Sequence, residues 1–183
     1  CANRGCGLFL ENEITENIGQ GALVENMAEP VLDGNVVHEN SEDGVRVANR
    51  GKGELVRNEV HHNHGAGVHV CSGGDPRVVE NDINSGFKEG VRVSDGGKGA
   101  FSENKIRYNK QLGVCCVDKK TAPQFTSNAI VGNHAGGVHV GSDAAGSFKT
   151  NTLEENAVFQ VRITTGANPV LDGNTVDRGK AIG

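Results

Sequence analysis

Apolar and polar positions along this chain recur with a period of 23 residues. Asparagine stands at Asn12, Asn35, Asn58, Asn81, Asn104, Asn128, Asn151 and Asn174, and every step is 23 residues except the 24 between Asn104 and Asn128. Two residues later comes an aliphatic column: Ile14, Val37, Val60, Ile83, Ile106, Ile130, Leu153 and Val176. Three residues before each asparagine lies a second apolar column: Phe9, Leu32, Leu55, Val78, Phe101, Phe125, Phe148 and Leu171. Five residues after it runs a further polar column: Asn17, Asn40, Asn63, Gly86, Asn109, Asn133, Asn156 and Gly179. A third segment reads Gly44-Val45-Arg46-Val47 and returns as Gly67 to Val70, Gly90 to Val93, Gly113 to Cys116, Gly137 to Val140 and Gln160 to Ile163. Alternation with β-branched residues predicts strands with one face buried.

Each unit therefore holds three short strands separated by Asn or Gly turns. One unit cannot bury its apolar face alone, so it must stack on its neighbours. The predicted fold is all-β, a right-handed, single-stranded parallel β-helix of about eight 23-residue rungs, forming one domain over residues 1–183. Stacking at one strand spacing gives a rod of about 35 Å. The single 24-residue step predicts an insertion between Lys119 and Pro123. A longer period is superimposed. Pro30, Pro76, Pro123 and Pro169 share one turn column, and Gly7, Gly53, Gly99 and Gly146 alternate with them, which makes the full unit a 46-residue double rung.

Composition then takes on a meaning. The chain holds 27 Gly and 19 Asn, with 4% aromatic residues and no Trp. Asn tolerates left-handed turns and bonds to backbone or to a stacked Asn, and Gly fills positive-φ positions. No apolar run is long enough to span a membrane. The net charge of -5 argues against a nucleic-acid partner, which would need clustered Lys and Arg. The chain begins inside one rung and stops inside another, which predicts a fragment of a longer protein.

The turns Gly51-Lys52-Gly53 and Gly73-Gly74-Asp75-Pro76, with Asn81-Asp82-Ile83 and Gly90-Val91-Arg92-Val93, carry a family resemblance. They resemble the β-helix repeats of the carbohydrate-binding and sugar-hydrolysis type. The nearest likeness is to the repeat region of the β-helix F-box proteins. That resemblance implies a non-enzymatic module selecting protein substrates for a ubiquitin ligase, with an intracellular location.

Candidate chemistry lies where rungs differ. The outward column of the third strand reads Leu23, Arg46, His69, Arg92, Cys115, His139 and Arg162. Arg46, His69, Arg92, His139 and Arg162 form a basic stripe on an acidic protein, flanked by glycines that predict a flat strip. Such a stripe suits an extended acidic partner, either a protein or peptide or an acidic polysaccharide, because Arg holds carboxylates bidentately. A solvated sheet face without function is the plainer reading of the same residues. A second site, the alternative of a carbohydrate-active enzyme or sugar-binding module, places Asp95 and Asp118 in adjacent rungs with Arg92 nearby, where two carboxylates could share calcium. The main reading needs no cofactor and no metal. The Asp-Pro-Glu-His motif of alginate epimerases is absent, since Arg77 follows Asp75-Pro76. A purely structural spacer is the third reading. Of the five cysteines only Cys1 and Cys6 are placed to pair, and the odd count favours a reducing compartment. His61 and His62, neighbours on one strand, are expected to point opposite ways.

Overall fold

A computed structural model describes residues 1–177, so Gly179 of the second polar column lies outside the described residues. The chain forms a right-handed parallel β-solenoid of about seven turns, with no helix among the described residues. Its strands fall into three parallel sheets of eight, eight and seven members. Registers follow the columns. Phe9 pairs with Leu32, Ile83 with Ile106, and Arg92 with both His69 and Cys115. The 24-residue step is taken up between Cys116 and Gln124, because Val93 pairs 23 residues on with Cys116 whereas Ala100 pairs 24 residues on with Gln124.

The aliphatic and phenylalanine columns fill the interior. Leu55, Ile83, Phe101, Ile106, Phe125 and Ile130 are fully buried. Phe101, Phe125 and Phe148 stack with centroids 4.4 and 5.2 Å apart, one ring per rung. Burying such a side chain contributes about 1.5–3 kcal/mol. A small alphabet suffices because each column packs on itself. At the end rungs, Leu8, Phe9, Leu171 and Val176 are exposed.

Both asparagine columns form ladders, buried from Asn35 to Asn151 in one and from Asn40 to Asn156 in the other. Asn58 Nδ2 donates to Asn81 Oδ1 at 2.9 Å and to the Leu32 carbonyl at 2.9 Å, and the Asn58 N–H also donates to Asn81 Oδ1. The second ladder repeats this through Asn17, Asn40 and Asn63, then from Asn109 through Asn133 to Asn156. Gly86 interrupts it. The left-handed turn residue is not the ladder asparagine, as expected from sequence, but the residue before it: Glu11, Arg57, Glu80 and Glu103 in one column, Glu16, Glu39, His62 and Tyr108 in the other. One αL residue turns the corner, and the asparagine after it ties the corner down. Only in the third turn do Asn26 and Asn49 themselves take positive φ.

The 46-residue period has a steric origin. A Cβ on Gly99 would sit 3.0 Å from the Pro76 carbonyl oxygen and 3.2 Å from its Cδ, and the same relation joins Gly146 to Pro123. A proline ring in one rung thus requires a glycine directly above it. Those glycines also carry positive φ, 109° at Gly99 and 124° at Gly146, which proline cannot adopt. The glycines before the third strand have a different role from the flat outer strip expected. A Cβ on Gly90 would meet Ile106 Cγ2 at 2.5 Å and Asn109 Nδ2 at 2.7 Å. They leave room for the core and ladder of the next rung.

Candidate functional site

Parallel register places Arg46, His69 and Arg92 side by side on the outer face of the third sheet, one strand spacing apart. Their side chains floor a groove. Its wall is the corner leading into that sheet, contributed by Glu42 and Asp43, His64 to Ala66, Lys88 and Glu89, and Gln111 from successive rungs.

His69 is held at both ring nitrogens. Its Nδ1 lies 2.9 Å from Asp43 Oδ2 and its Nε2 lies 3.1 Å from Ser94 Oγ. An ionised Asp43 can only accept, so Nδ1 carries a proton, and in the neutral ring Nε2 then accepts from the serine hydroxyl. Burial pushes the Asp43 carboxyl up. The hydrogen bond and charge of His69, the Ala66 N–H and the Arg46 charge outweigh this and hold it below its ordinary value. Arg92 donates through Nη1 to the buried Glu89 at 3.2 Å. Arg46 makes no ion pair among the described residues, leaving its guanidinium free to face a ligand. The set is an imidazole with an oriented base nitrogen and a cation on either side along the axis. Such a set can take up a proton and hold a carboxylate.

Sequence reasoning found Arg46, His69 and Arg92 but missed Asp43, Glu89 and Ser94. Acidic residues do stand three positions before Arg46 and Arg92 in the chain. That spacing suggests two equivalent pairs within a rung, whereas Asp43 crosses to His69 of the next rung.

The stripe does not continue as one surface. Cys115 follows Arg92 and is buried, its thiol pushed up to about 11 by burial, then by Glu89. Beyond it, Arg162 lies 4.0 Å over the Phe159 ring, whose face rests on Gly136. His139 beside Arg162 has a buried Nε2 without a hydrogen-bond partner. Burial and the Arg162 charge hold its pKa below the ordinary value. His139 and Arg162 thus form a separate pair outside the groove.

Asp95 and Asp118 sit on the third turn, with Asp95 exposed. Ser72 Oγ donates to Asp95 at 2.8 Å, and the Asp95 N–H donates to Asp118 at 3.3 Å. Arg92 turns to Glu89 instead, so these three residues do not converge. Among the described residues no three His, Cys, Asp or Glu side chains cluster as a metal site. His61 and His62 do not point apart. The positive φ of His62 folds its ring back, and the two Nδ1 atoms lie 2.8 Å apart. His38 stacks on His61 at 4.8 Å. Cys1 and Cys6 are free and exposed rather than paired.

The family described as right handed beta helix region matches residues 2–146. No curated protein sequence matches. Among solved structures, the periplasmic alginate epimerase AlgG is similar, with a TM-score of 0.80 at 14% identity over 90% of this chain. The Azotobacter vinelandii mannuronan C-5 epimerase AlgE4 A-module is similar over 92% of this chain, with a TM-score of 0.73 at 14% identity. This chain spans 43% of the AlgG structure and 55% of the AlgE4 module. At such identities the likeness is one of fold. It corrects the expectation of a protein-recognition module of the F-box type, for the matching structures are polysaccharide-modifying enzymes. The turns that suggested an F-box relation are the Asn, Gly and Pro positions that stacking itself demands.

Proposed function

The chain belongs to the family of right-handed beta helix regions, and we propose that it is a carbohydrate-active β-helix whose groove takes an acidic polysaccharide. This reading rests on one observation: His69 is fixed by Asp43 at the groove floor, with Arg46 and Arg92 one rung to either side. The epimerases of similar fold act on alginate or mannuronan, which adds support to a polyuronate substrate.

The chemistry follows from the residues. A uronate carboxylate binds Arg46 and is polarised by it. The hydrogen on the carbon beside that carboxylate then becomes acidic. His69 Nε2 withdraws this proton after giving up the Ser94 hydroxyl, and Asp43 stabilises the imidazolium formed. The resulting carbanion is stabilised by the arginines. It collapses either by taking a proton from water on the other face while His69 releases its proton to solvent, which is epimerisation, or by expelling the glycosidic oxygen, which takes up the proton from His69, which is elimination.

Incubation with polymannuronate and polygalacturonate tests this. Proton NMR reads the epimer ratio, and ultraviolet absorbance reads unsaturated uronate ends. One of the two products is expected, with a rate lower by about a hundredfold or more in His69→Gln. In Arg46→Gln both substrate affinity and the rate are expected to fall, because that guanidinium binds the carboxylate and stabilises the carbanion, and the affinity of the wild-type protein falls as salt is added. Absence of both products, together with no binding to either polymer, overturns the reading.

A further inference from the structure

We propose that Ser94 is a nucleophile activated by His69 and Asp43, and that it removes short acyl groups, acetyl above all, from ester oxygens of the polysaccharide. The substrate assignment rests on the polysaccharide reading above. The nucleophile rests on the geometry alone.

Three side chains from different rungs meet in one hydrogen-bonded line. Ser94 Oγ lies 3.1 Å from His69 Nε2, and His69 Nδ1 lies 2.9 Å from Asp43 Oδ2. The order carboxylate, imidazole, hydroxyl, with the proton on the nitrogen facing the carboxylate, is the arrangement that activates serine in acyl transfer. Asp43 has only 13% of its side chain exposed and is held ionised by the imidazole and the Ala66 N–H. It can therefore stabilise an imidazolium. A structural hydroxyl at this position could bond to the backbone nearby, yet this one is aimed at the base nitrogen.

The surroundings define the substrate. Ser94 is only 7% exposed, so the acyl group admitted is short. Along the axis its column neighbours are Cys71 and Val117, both apolar. Arg92 stands two residues before it, on the strand Val91–Val93 that Ser94 directly follows. Only Nη1 of Arg92 is committed to Glu89, and the other N–H donors can meet the oxyanion.

The step balances without a redox partner. Ser94 Oγ bonds to the ester carbonyl carbon as His69 Nε2 takes the hydroxyl proton. The bond from that carbon to the sugar oxygen breaks, and His69 returns the proton to the oxygen. Water then attacks the acyl-serine, its proton again passing through His69, and the carboxylic acid leaves.

The test uses a small ester with no sugar in it. The intact protein is mixed with p-nitrophenyl acetate, quenched in acid, and its peptides are weighed. An acetyl group on Ser94 is expected, with nitrophenol release slower by about a hundredfold or more in Ser94→Ala and in His69→Gln. Asp43 acts as a positioning residue, so Asp43→Asn is expected to lower kcat for release with KM little changed, because the imidazole loses the carboxylate that orients it. In the wild-type protein, acetylation should rise as the imidazole facing Asp43, Glu89, Arg46 and Arg92 deprotonates. Failure to acetylate Ser94, acetylation that is independent of pH, or acetylation undiminished in His69→Gln overturns the proposal. Polyuronate turnover in the same preparations is read separately, so loss of one activity does not decide the other.

Discussion

Asn81 meets five hydrogen-bonding groups with one side chain, its two amide hydrogens shared among three acceptors. Its Nδ2 donates to the carbonyls of Leu55 and Val79 and to Asn104 Oδ1, while its Oδ1 accepts from the N–H and Nδ2 of Asn58. Asn81→Ala strands several of these partners in a dry corner, so unfolding in urea should show a loss of upwards of about 3 kcal/mol. The converse case is Gly86, where the second ladder is broken. An asparagine there would accept from the Asn63 N–H and donate to Asn109 Oδ1, with Asn109 moving slightly to relieve a Cβ contact of 3.1 Å. Gly86→Asn is therefore expected to raise stability by about 1 kcal/mol in the same measurement. The ladder columns were legible in the sequence because their spacing scarcely varies. The αL residue before each asparagine was not, since beside Gly34, Gly132 and Gly173 the position holds Glu, Arg, His, Tyr, Ser and Thr, and so mixed a column gives no left-handed signal.

Turns and strands act as stacked elements, and each is constrained by the rung beneath it. Where Pro76 lies under Gly99, a methyl group would press on the proline ring and face an unfavourable φ of 109°. Gly99→Ala should cost about 1–3 kcal/mol, read as a lowered thermal midpoint. The same substitution at Gly90 meets core atoms of the next rung and should cost about 1–3 kcal/mol through overpacking. The alternation of Pro and Gly was visible in the chain, but its cause was not. The close approach exists only between rungs, 23 residues apart.

Across the molecule as a whole, two histidines make stability depend on pH. Burial first, then the charges of His38 and His62, hold His61 below its ordinary 6.5 against the opposing pull of Glu59 and Glu39. His139 is lowered by burial and by Arg162. In both cases the unfolded chain binds a proton more readily than the folded one. Their contribution to stability is complete above pH 6.5 and is lost as pH falls from 6.5 through the lower folded values. The thermal midpoint should fall as pH drops below 6.5, and His61→Gln with His139→Gln should flatten that slope. Asp43, lowered from 3.8, keeps its contribution until the pH drops below that value. Periodicity alone imposes the solenoid, its three sheets, the register of its strands and the basic column on the third sheet, because a 23-residue period forces equivalent residues into line. Which of those basic residues make a site is settled in three dimensions. Arg46, His69 and Arg92 share one groove with the corner residues beside them, and Cys115 separates them from His139 and Arg162. Asp43 and Ser94 meet His69 from rungs on either side of it. Side-chain reach across rungs leaves no trace in a period, and it is this reach that turns a repeated scaffold into a single chemical centre.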